Sequence, residues 1–274
     1  MSWMNWIFPV TIVLYSLSVL GYFIDFLQNN RKVNRIAFWL LLIVWVLQTV
    51  FFIFRAMELN RIPIITPFEG LFFYAWIVVT LSLVINWYFR VAFLVFFTNV
   101  VGFVMMAFSL FTPDGDVPDS LSTLLISELL IIHVSVILLS YAAFTLAFAF
   151  SIMYVIQHQM LKRKAWGKRL LRFGSLSKLD MYASSATIIA FPLFLIGIIL
   201  GFVWASIQFG ELPWLDAKVI SSLIVLSAYA LYLYQRFVKL LRGYNMALLN
   251  IACFLLILIN YFLSSNLSSF HLWY

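Results

Sequence analysis

Residues 36–54 read IAFWLLLIVWVLQTVFFIF, and this stretch decides the fold. It contains no charged residue, and a helix of this length covers the roughly 30 Å of bilayer hydrocarbon at about 1.5 Å per residue. Because an α-helix satisfies its own backbone hydrogen bonds, it is the expected conformation of an apolar segment in lipid. The stretch therefore predicts a transmembrane helix.

Apolar stretches of similar length recur along the chain, separated by short polar segments. They predict about eight transmembrane helices, near residues 7–26, 36–54, 67–88, 91–111, 130–156, 184–206, 218–235 and 246–264. Apolar residues make up 65% of the 274 residues and charged residues 10%, whereas a soluble domain carries about 25% charge. The expected fold is all-α, a polytopic integral membrane helix bundle that forms a single transmembrane domain over residues 1–274.

The basic residues are concentrated in alternate loops. The loops after the first, third, fifth and seventh predicted helices hold all but three of the 17 Lys and Arg residues. These are Arg31, Lys32, Arg35, Arg90, Lys162, Arg163, Lys164, Lys168, Arg169, Arg172, Lys178, Arg236, Lys239 and Arg242. Since Lys and Arg favour the cytoplasmic side, we expect these loops inside and both termini outside. The net charge of +7 then indicates membrane topology and not nucleic-acid binding.

Two local signals mark helix starts. Thr66-Pro67-Phe68-Glu69 has the pattern of a capping box with proline at the first helical position. Asp216 lies two residues before the seventh predicted helix. We expect both acidic side chains to cap helices.

Two of the three histidines are predicted to lie at a similar depth on the outer side. Counting helical residues from the inner boundary puts His133 roughly 6 Å and His271 roughly 9 Å beyond the hydrocarbon. Two neutral imidazoles could ligate haem iron from both axial sides. Trp204, Phe209 and Trp214 offer flat aromatic surfaces near the same end. From these residues alone, two unrelated interfacial histidines remain the alternative.

Other classes of function have less support. The single cysteine, Cys253, excludes an intramolecular disulfide and a CxxC pair. The chain has no glycine-rich phosphate loop, no HExxH and no GxSxG motif. The third histidine, His158, lies beside a basic loop and is expected to be a solvated interfacial residue. We therefore expect that the protein is not an enzyme.

Several segments, in the same order along the chain, resemble one family. Residues 133–143 contain HVS followed by LSYAA, residues 194–205 read FLIGIILGFVWA, and residues 260–271 end in histidine. They are similar to the HVS…LSYAA, TIGIxxGxVWA and YFGVNLLGxGLHSY segments of the cytochrome c assembly superfamily, which includes the CcsA and CcmC haem-handling membrane proteins. With weaker matches at 68–71 and 228–233, the resemblance runs from about residue 67 to the end.

The sequence also departs from the family's pattern. The family's external loop reads like WGxxWxWDPKE, whereas residues 209–219 read FGELPWLDAKV, so that Gly210, Asp216 and Lys218 fit but the tryptophans do not stay in place. Larger members carry a further pair of membrane histidines, whose positions here look like Ser82 and Tyr234. We therefore expect no inner haem site. With these departures the chain resembles the HemX-like branch best. Its members are small eight-span relatives found beside haem-biosynthesis functions in Gram-positive bacteria.

The resemblance implies a haem b site on the outer side of a bacterial cytoplasmic membrane. The haem-binding residues that it implies are His133, His271, Trp204, Phe209, Trp214 and Asp216. The two histidines would be axial iron ligands, the aromatic residues would support the porphyrin, and Asp216 would cap or orient the loop. The resemblance further implies a role in limiting glutamyl-tRNA reductase, which would meet the cytoplasmic residues 157–182. That basic stretch could equally reflect topology alone or dock on anionic membrane lipid.

Two other functions remain open at this point. A cytochrome c assembly factor that handles or presents haem at the outer face would be needed for holo-cytochrome c but would leave reductase levels unchanged. A transporter of haem or a precursor would show flux in sealed vesicles, and it would need a polar path through the bilayer. The altered tryptophan loop disfavours the first, and the few polar residues inside the predicted helices disfavour the second.

Overall fold

The computed structural model describes residues 4–89, 93–112, 127–165, 167–210 and 214–267. Helical residues make up 88% of those ranges, and no strand occurs within them. The helices are α1 (Met4–Gln28), α2 (Arg31–Leu59), α3 (Pro67–Phe89), α4 (Leu94–Phe108, followed by a 3-10 turn at Ser109–Phe111), α5 (Glu128–Lys162), the short α6 (Lys168–Arg172), α7 (Leu176–Phe209), α8 (Ala217–Phe237) and α9 (Tyr244–Leu267). Among the described residues, eight helices are long and apolar enough to cross a membrane, which confirms the predicted all-α polytopic bundle. The external position of both termini stays a prediction.

Most of the helices are longer than their predicted spans, and α5 and α7 are the longest. Helix α5 has 35 residues and α7 has 34, so that each is about 50 Å long at about 1.5 Å per residue. Both helices enter the stretch 157–182 that the sequence predicted as a loop, so this part of the prediction is wrong. Between the end of α5 at Lys162 and the start of α7 at Leu176, the described residues contain one further helix, the short α6. Hydropathy marks where a chain is apolar, whereas the backbone hydrogen bonds of a helix can continue through polar residues into water.

Helix α2 shows how these helices meet lipid. Its buried residues, Ala37, Leu41 and Val44, recur at the spacing of one helix face. Trp39 and Ile43 lie on another face and are exposed in the chain by itself. Large apolar faces of this kind are rare on soluble proteins, and in a membrane-spanning helix they are the surface that meets acyl chains.

The chain divides into two compact units. Unit 1 is Met1–Asp114 with Gln159–Ser175, and unit 2 is Gly115–His158 with Leu176–Tyr274. The expectation of a single transmembrane domain over residues 1–274 stays a prediction, since two helical units can belong to one domain.

Unit 1 has an aromatic and aliphatic core with a few hydrogen bonds between its helices. Its helices α1 and α2 approach closely at Gly21. A Cβ added to Gly21 would lie 2.9 Å from the Cβ of Ala37. At the same level the Ser18 hydroxyl donates to the Ala37 carbonyl over 2.8 Å. The Tyr15 hydroxyl donates to Asn99 Oδ1, also over 2.8 Å. Small residues and hydrogen bonds of this kind are how membrane helices associate where lipid supplies no hydrophobic contrast.

Unit 2 is held by stacked rings and buried polar pairs. Phe144 of α5 stacks on Tyr229 of α8 with ring centroids 3.8 Å apart. At one end, Arg236 donates to Asp180 over 2.7 Å. These contacts tie α5, α7 and α8 together and so position the residues that precede them on α5.

Both predicted helix caps are confirmed. The Glu69 amide donates to Thr66 Oγ1 and the Thr66 amide donates to Glu69 Oε2, each over 3.2 Å. Asp216 Oδ1 accepts from the Lys218 amide over 2.8 Å at the start of α8. Glu69 has a second role that the sequence did not indicate, because it also forms a two-pronged ion pair with Arg61 at 2.8 and 2.9 Å.

Candidate functional site around His133

His133 lies near the start of α5 and faces a glycine surface on α7. Its Nδ1 is 2.7 Å from the carbonyl oxygen of Gly197. One turn further along α7, a Cβ added to Gly201 would lie 2.7 Å from His133 Cε1 and 3.0 Å from Nδ1. A side chain larger than hydrogen at position 201 would therefore push the imidazole away. The ring is held by both a hydrogen bond and a close fit.

This contact decides which ring nitrogen is available. A carbonyl oxygen only accepts hydrogen bonds, so His133 Nδ1 carries the hydrogen and donates it to Gly197. In the neutral imidazole, Nε2 then keeps its lone pair. Metal-bound histidines commonly donate the other ring N–H to a backbone carbonyl or carboxylate, which fixes the tautomer and the ring orientation. His133 thus has the arrangement of a metal ligand that would coordinate through Nε2.

The packing of α5 against α7 produces this arrangement. Gly197 and Gly201 are four residues apart and lie on one face of α7. An added Cβ at Gly197 would clash with Ile137, which lies one turn beyond His133 on α5. Further along, Tyr141 of α5 contacts Phe194 of α7, with ring centroids 5.8 Å apart. Large residues of α5 therefore fill the space that the two glycines leave.

The predicted aromatic residues form two groups. Trp204 is buried and lies three residues after Gly201, on the same side of α7. Its ring meets Phe209 edge-on, with centroids 5.8 Å apart. Trp214 is half exposed and packs instead on Phe202, with centroids 5.0 Å apart. The aromatic residues that the sequence grouped as one surface are thus divided between these two contacts.

The other predicted site residues have different outcomes. Asp216 is buried, and its carboxylate caps α8. His271, the predicted second iron ligand, lies outside the described residues. Ligation by the pair of histidines therefore stays a prediction, and so does a haem-binding role for Asp216.

The structure adds a partly buried cation, Lys218, which sequence analysis had noted only as a match to the family's loop. The Lys218 ammonium donates to the backbone carbonyl of Asn260 over 2.8 Å and lies within electrostatic reach of the His133 ring. The Asn260 side chain accepts from Ser221 over 2.7 Å and donates to the Tyr141 hydroxyl over 3.0 Å. This network joins α5, α8 and α9. Its residues lie 39 to 119 positions apart in sequence, so no local pattern could have revealed it.

The donor set fits an axial haem ligand better than a metal ion held by protein alone. Within the part of the chain that the structure describes, no group of three or more His, Cys, Asp or Glu side chains could hold a metal. A haem iron already has four nitrogen ligands from the porphyrin and needs only axial ones. One imidazole with an oriented Nε2 meets half of that requirement.

Comparison with known proteins identifies a family and several relatives. A family model described as "Cytochrome C assembly protein" matches residues 64–271. Protein HemX of Bacillus subtilis (strain 168) is 51% identical over 261 residues, covering 95% of both chains. Protein HemX of Brevibacillus brevis is 46% identical over 274 residues, the full length of both. Cytochrome c biogenesis protein CcsA of Mesostigma viride is 28% identical over 229 residues, with 76% of this chain and 75% of the relative covered.

The matched region contains every residue of the His133 site as well as His271. Full-length similarity to two HemX proteins also agrees with the branch indicated by the altered tryptophan loop. The chain belongs to the cytochrome c assembly protein family, as a HemX-like member.

Proposed function

We propose that this protein binds haem b at the outer side of the bacterial cytoplasmic membrane and thereby limits the level of glutamyl-tRNA reductase. The observation that carries the proposal is the hydrogen bond from His133 Nδ1 to the Gly197 carbonyl, which leaves Nε2 oriented as a ligand. The location is supported by the candidate membrane-spanning helices and by the two HemX relatives from bacteria. When bound, haem would supply an iron with open axial positions and a strong visible absorption.

In this proposal His133 and His271 are the axial ligands. The family match extends to residue 271, which supports the second histidine. Trp204 and Phe209 would pack on the porphyrin, together with Trp214. Asp216 would hold the start of α8 in place, and the nearby Lys218 ammonium would favour an anionic ligand.

Regulation would pass through the cytoplasmic stretch 157–182. Lys162, Arg163 and Lys164 are exposed there and offer a basic surface to a partner. Haem can change that surface only if it binds two conformations with different affinity. No bond-making step is part of the proposal, which agrees with a family whose members are not typically enzymes.

The test is complementation of a Bacillus subtilis strain that lacks its own HemX. We expect the wild-type chain to lower glutamyl-tRNA reductase, measured by immunoblot, and the His133→Ala variant to leave it as high as in the empty strain. Ile132→Ala is the matched control, because it changes an exposed neighbour of His133 on the same helix without touching the Gly197 contact or the stretch 157–182. Membrane levels of all three chains are measured in parallel. If His133→Ala lowered the reductase level as much as the wild-type chain does, the proposal would be contradicted.

The alternative is a cytochrome c assembly factor, which the family match favours. In that case loss of the chain would lower holo-cytochrome c, measured by haem staining of membrane proteins, and would leave reductase levels unchanged. The same strains separate the two functions. We expect normal holo-cytochrome c in all of them.

A further inference from the structure

Unit 1 contains a cavity of about 610 Å³ that the haem proposal does not use. Its lining comes from the ends of α1 and α3 and the beginnings of α2 and α4, together with α6. We call it the arginine cavity, and its walls include Tyr22, Arg31, Arg35, Asn86, Phe93 and Arg172. A space of this size would hold a small ligand or the head of a larger one.

One of its three arginines is already neutralised. Arg172 donates through both terminal nitrogens to Asp25, over 2.8 and 2.7 Å, and also to Asn29 over 2.6 Å. Its guanidinium lies 4.5 Å from the centre of the Phe93 ring. Asp25 accepts in addition from Asn34 over 2.8 Å. Arg172 and Asp25 thus form a rigid wall whose charges cancel.

The other two arginines have no such compensation. Arg31 and Arg35 are one helical turn apart and lie on the same face of α2. Of the residues that the structure describes, none forms a hydrogen bond or ion pair with either guanidinium, and none that lines the cavity is Asp or Glu. Two uncompensated positive charges therefore border one space. An anion is the ligand that this arrangement favours.

A buried hydroxyl points to the same conclusion. Tyr22 is only 4% exposed, lines the cavity and has no hydrogen-bond partner for its hydroxyl among the described residues. Buried polar groups in native proteins nearly always have a partner, because leaving one unpaired costs free energy. A bound anion would accept the hydrogen bond that Tyr22 can donate. The Asn86 amide on the same lining could donate as well.

Most of the remaining lining is aromatic. Phe38, Trp87, Phe93 and Phe96 line the cavity, and Trp87 is 78% exposed in the chain by itself. A ligand that suits both sets of walls has an anionic head and an apolar body. Because the cavity lies at the ends of membrane-spanning helices, phospholipid is the amphiphile available to it, and basic pockets between such helices bind anionic lipid heads.

We propose that the arginine cavity binds the phosphate diester of an anionic glycerophospholipid. Arg31 and Arg35 hold the phosphate oxygens, Tyr22 donates one further hydrogen bond, and the aromatic walls cover the start of the acyl chains. The cavity shares no residue with the His133 site, and the proposal does not depend on haem binding.

The experiment uses the full chain in detergent and measures the rise in unfolding temperature on addition of phosphatidylglycerol. We expect a clear rise for the wild type and a much smaller one with phosphatidylcholine, which has no net charge. Arg35→Gln should weaken phosphatidylglycerol binding about tenfold, because it removes a charge-assisted contact to phosphate. Lys32→Gln is the matched control, since it removes the same charge from the same turn of α2 but does not line the cavity.

The Tyr22→Phe variant distinguishes a lipid-binding role of the Tyr22 hydroxyl from a purely structural one. Without lipid, the variant should be at least as stable as the wild type, because an unpaired hydroxyl is removed. With phosphatidylglycerol, it should gain less. The proposal is overturned if Arg35→Gln and Lys32→Gln respond alike, or if inorganic phosphate alone stabilises the wild type as much as the lipid does. It is also overturned if haem, but not phosphatidylglycerol, binds in a manner that depends on Arg31 and Arg35.

Discussion

The two ends of α5 each carry a histidine, and the two rings have different surroundings. His133 donates from Nδ1 to the Gly197 carbonyl and rests against Gly201. His158 lies between two tyrosine rings, with centroids 6.2 Å from Tyr154 and 4.9 Å from Tyr244. No described residue forms a hydrogen bond with His158. One imidazole is oriented by the backbone, whereas the other is packed as a flat ring.

The comparison shows what turns a histidine into a candidate ligand. Depth in the membrane and a neighbouring aromatic residue are not sufficient, since His158 has aromatic neighbours on both sides. A fixed tautomer and an oriented Nε2 require a hydrogen-bond acceptor and a surface that lets the ring approach it. Among the described helices, α7 with its pair of glycines supplies both to His133.

We expect the largest loss of haem affinity from filling the space beside His133 at Gly201. Gly201→Ala would place a Cβ 2.7 Å from His133 Cε1, so that the ring must move away from the Gly197 carbonyl. Changes to the partners of a metal ligand typically weaken metal binding by roughly 10–100-fold, and we expect a loss of that order in haem titrations. Val203→Ala, an exposed position of the same helix, is the control. Equal haem affinity for all three proteins would show that the glycine fit is unimportant.

A smaller effect is expected from the network beyond the site. Asn260→Leu removes hydrogen bonds to Tyr141 and Ser221, and we expect a loss of about 1–2 kcal/mol in the free energy of unfolding in detergent. Tyr141→Phe removes one of these bonds and should cost less, on the order of 0.6 kcal/mol. Denaturant titration followed by circular dichroism measures both. A larger loss for Tyr141→Phe than for Asn260→Leu would contradict the network as described.

The smallest effect is expected at the other end of α5. His158→Phe keeps a flat ring between Tyr154 and Tyr244, so the free energy of unfolding should change by no more than about 0.5 kcal/mol. Haem binding should not change. Loss of bound haem in this variant would remove the distinction between the two histidines.

The helices could be predicted from sequence because each is a long apolar run. The caps at Thr66 and Asp216 could be predicted too, since a cap depends on residues only two or three positions away. The extension of α5 to Lys162 could not, because hydropathy follows side chains and not backbone hydrogen bonds. The ion pair between Asp25 and Arg172 also escaped prediction, since it joins residues 147 positions apart.

The same limit applies to the candidate site. Sequence identified His133 and the nearby Trp204, yet the acceptor that orients the ring is a backbone carbonyl 64 residues away. Every residue has such a carbonyl, so residue type carries no signal for it. Gly197 and Gly201 belong to a segment that resembles the family, but the sequence did not indicate what they do. The packing of α5 on α7 shows that they leave room for Ile137 and the His133 ring.

The most direct test of the central claim is the visible absorption spectrum of the purified chain with haem added, compared for wild type, His133→Ala and His158→Ala. We expect a sharp low-spin Soret band with resolved α and β bands for wild type and His158→Ala. For His133→Ala we expect that pattern to be lost, and His271→Ala should lose it as well if the second histidine completes the iron ligation. A low-spin spectrum that survives in His133→Ala would contradict the assignment of His133 as the ligand.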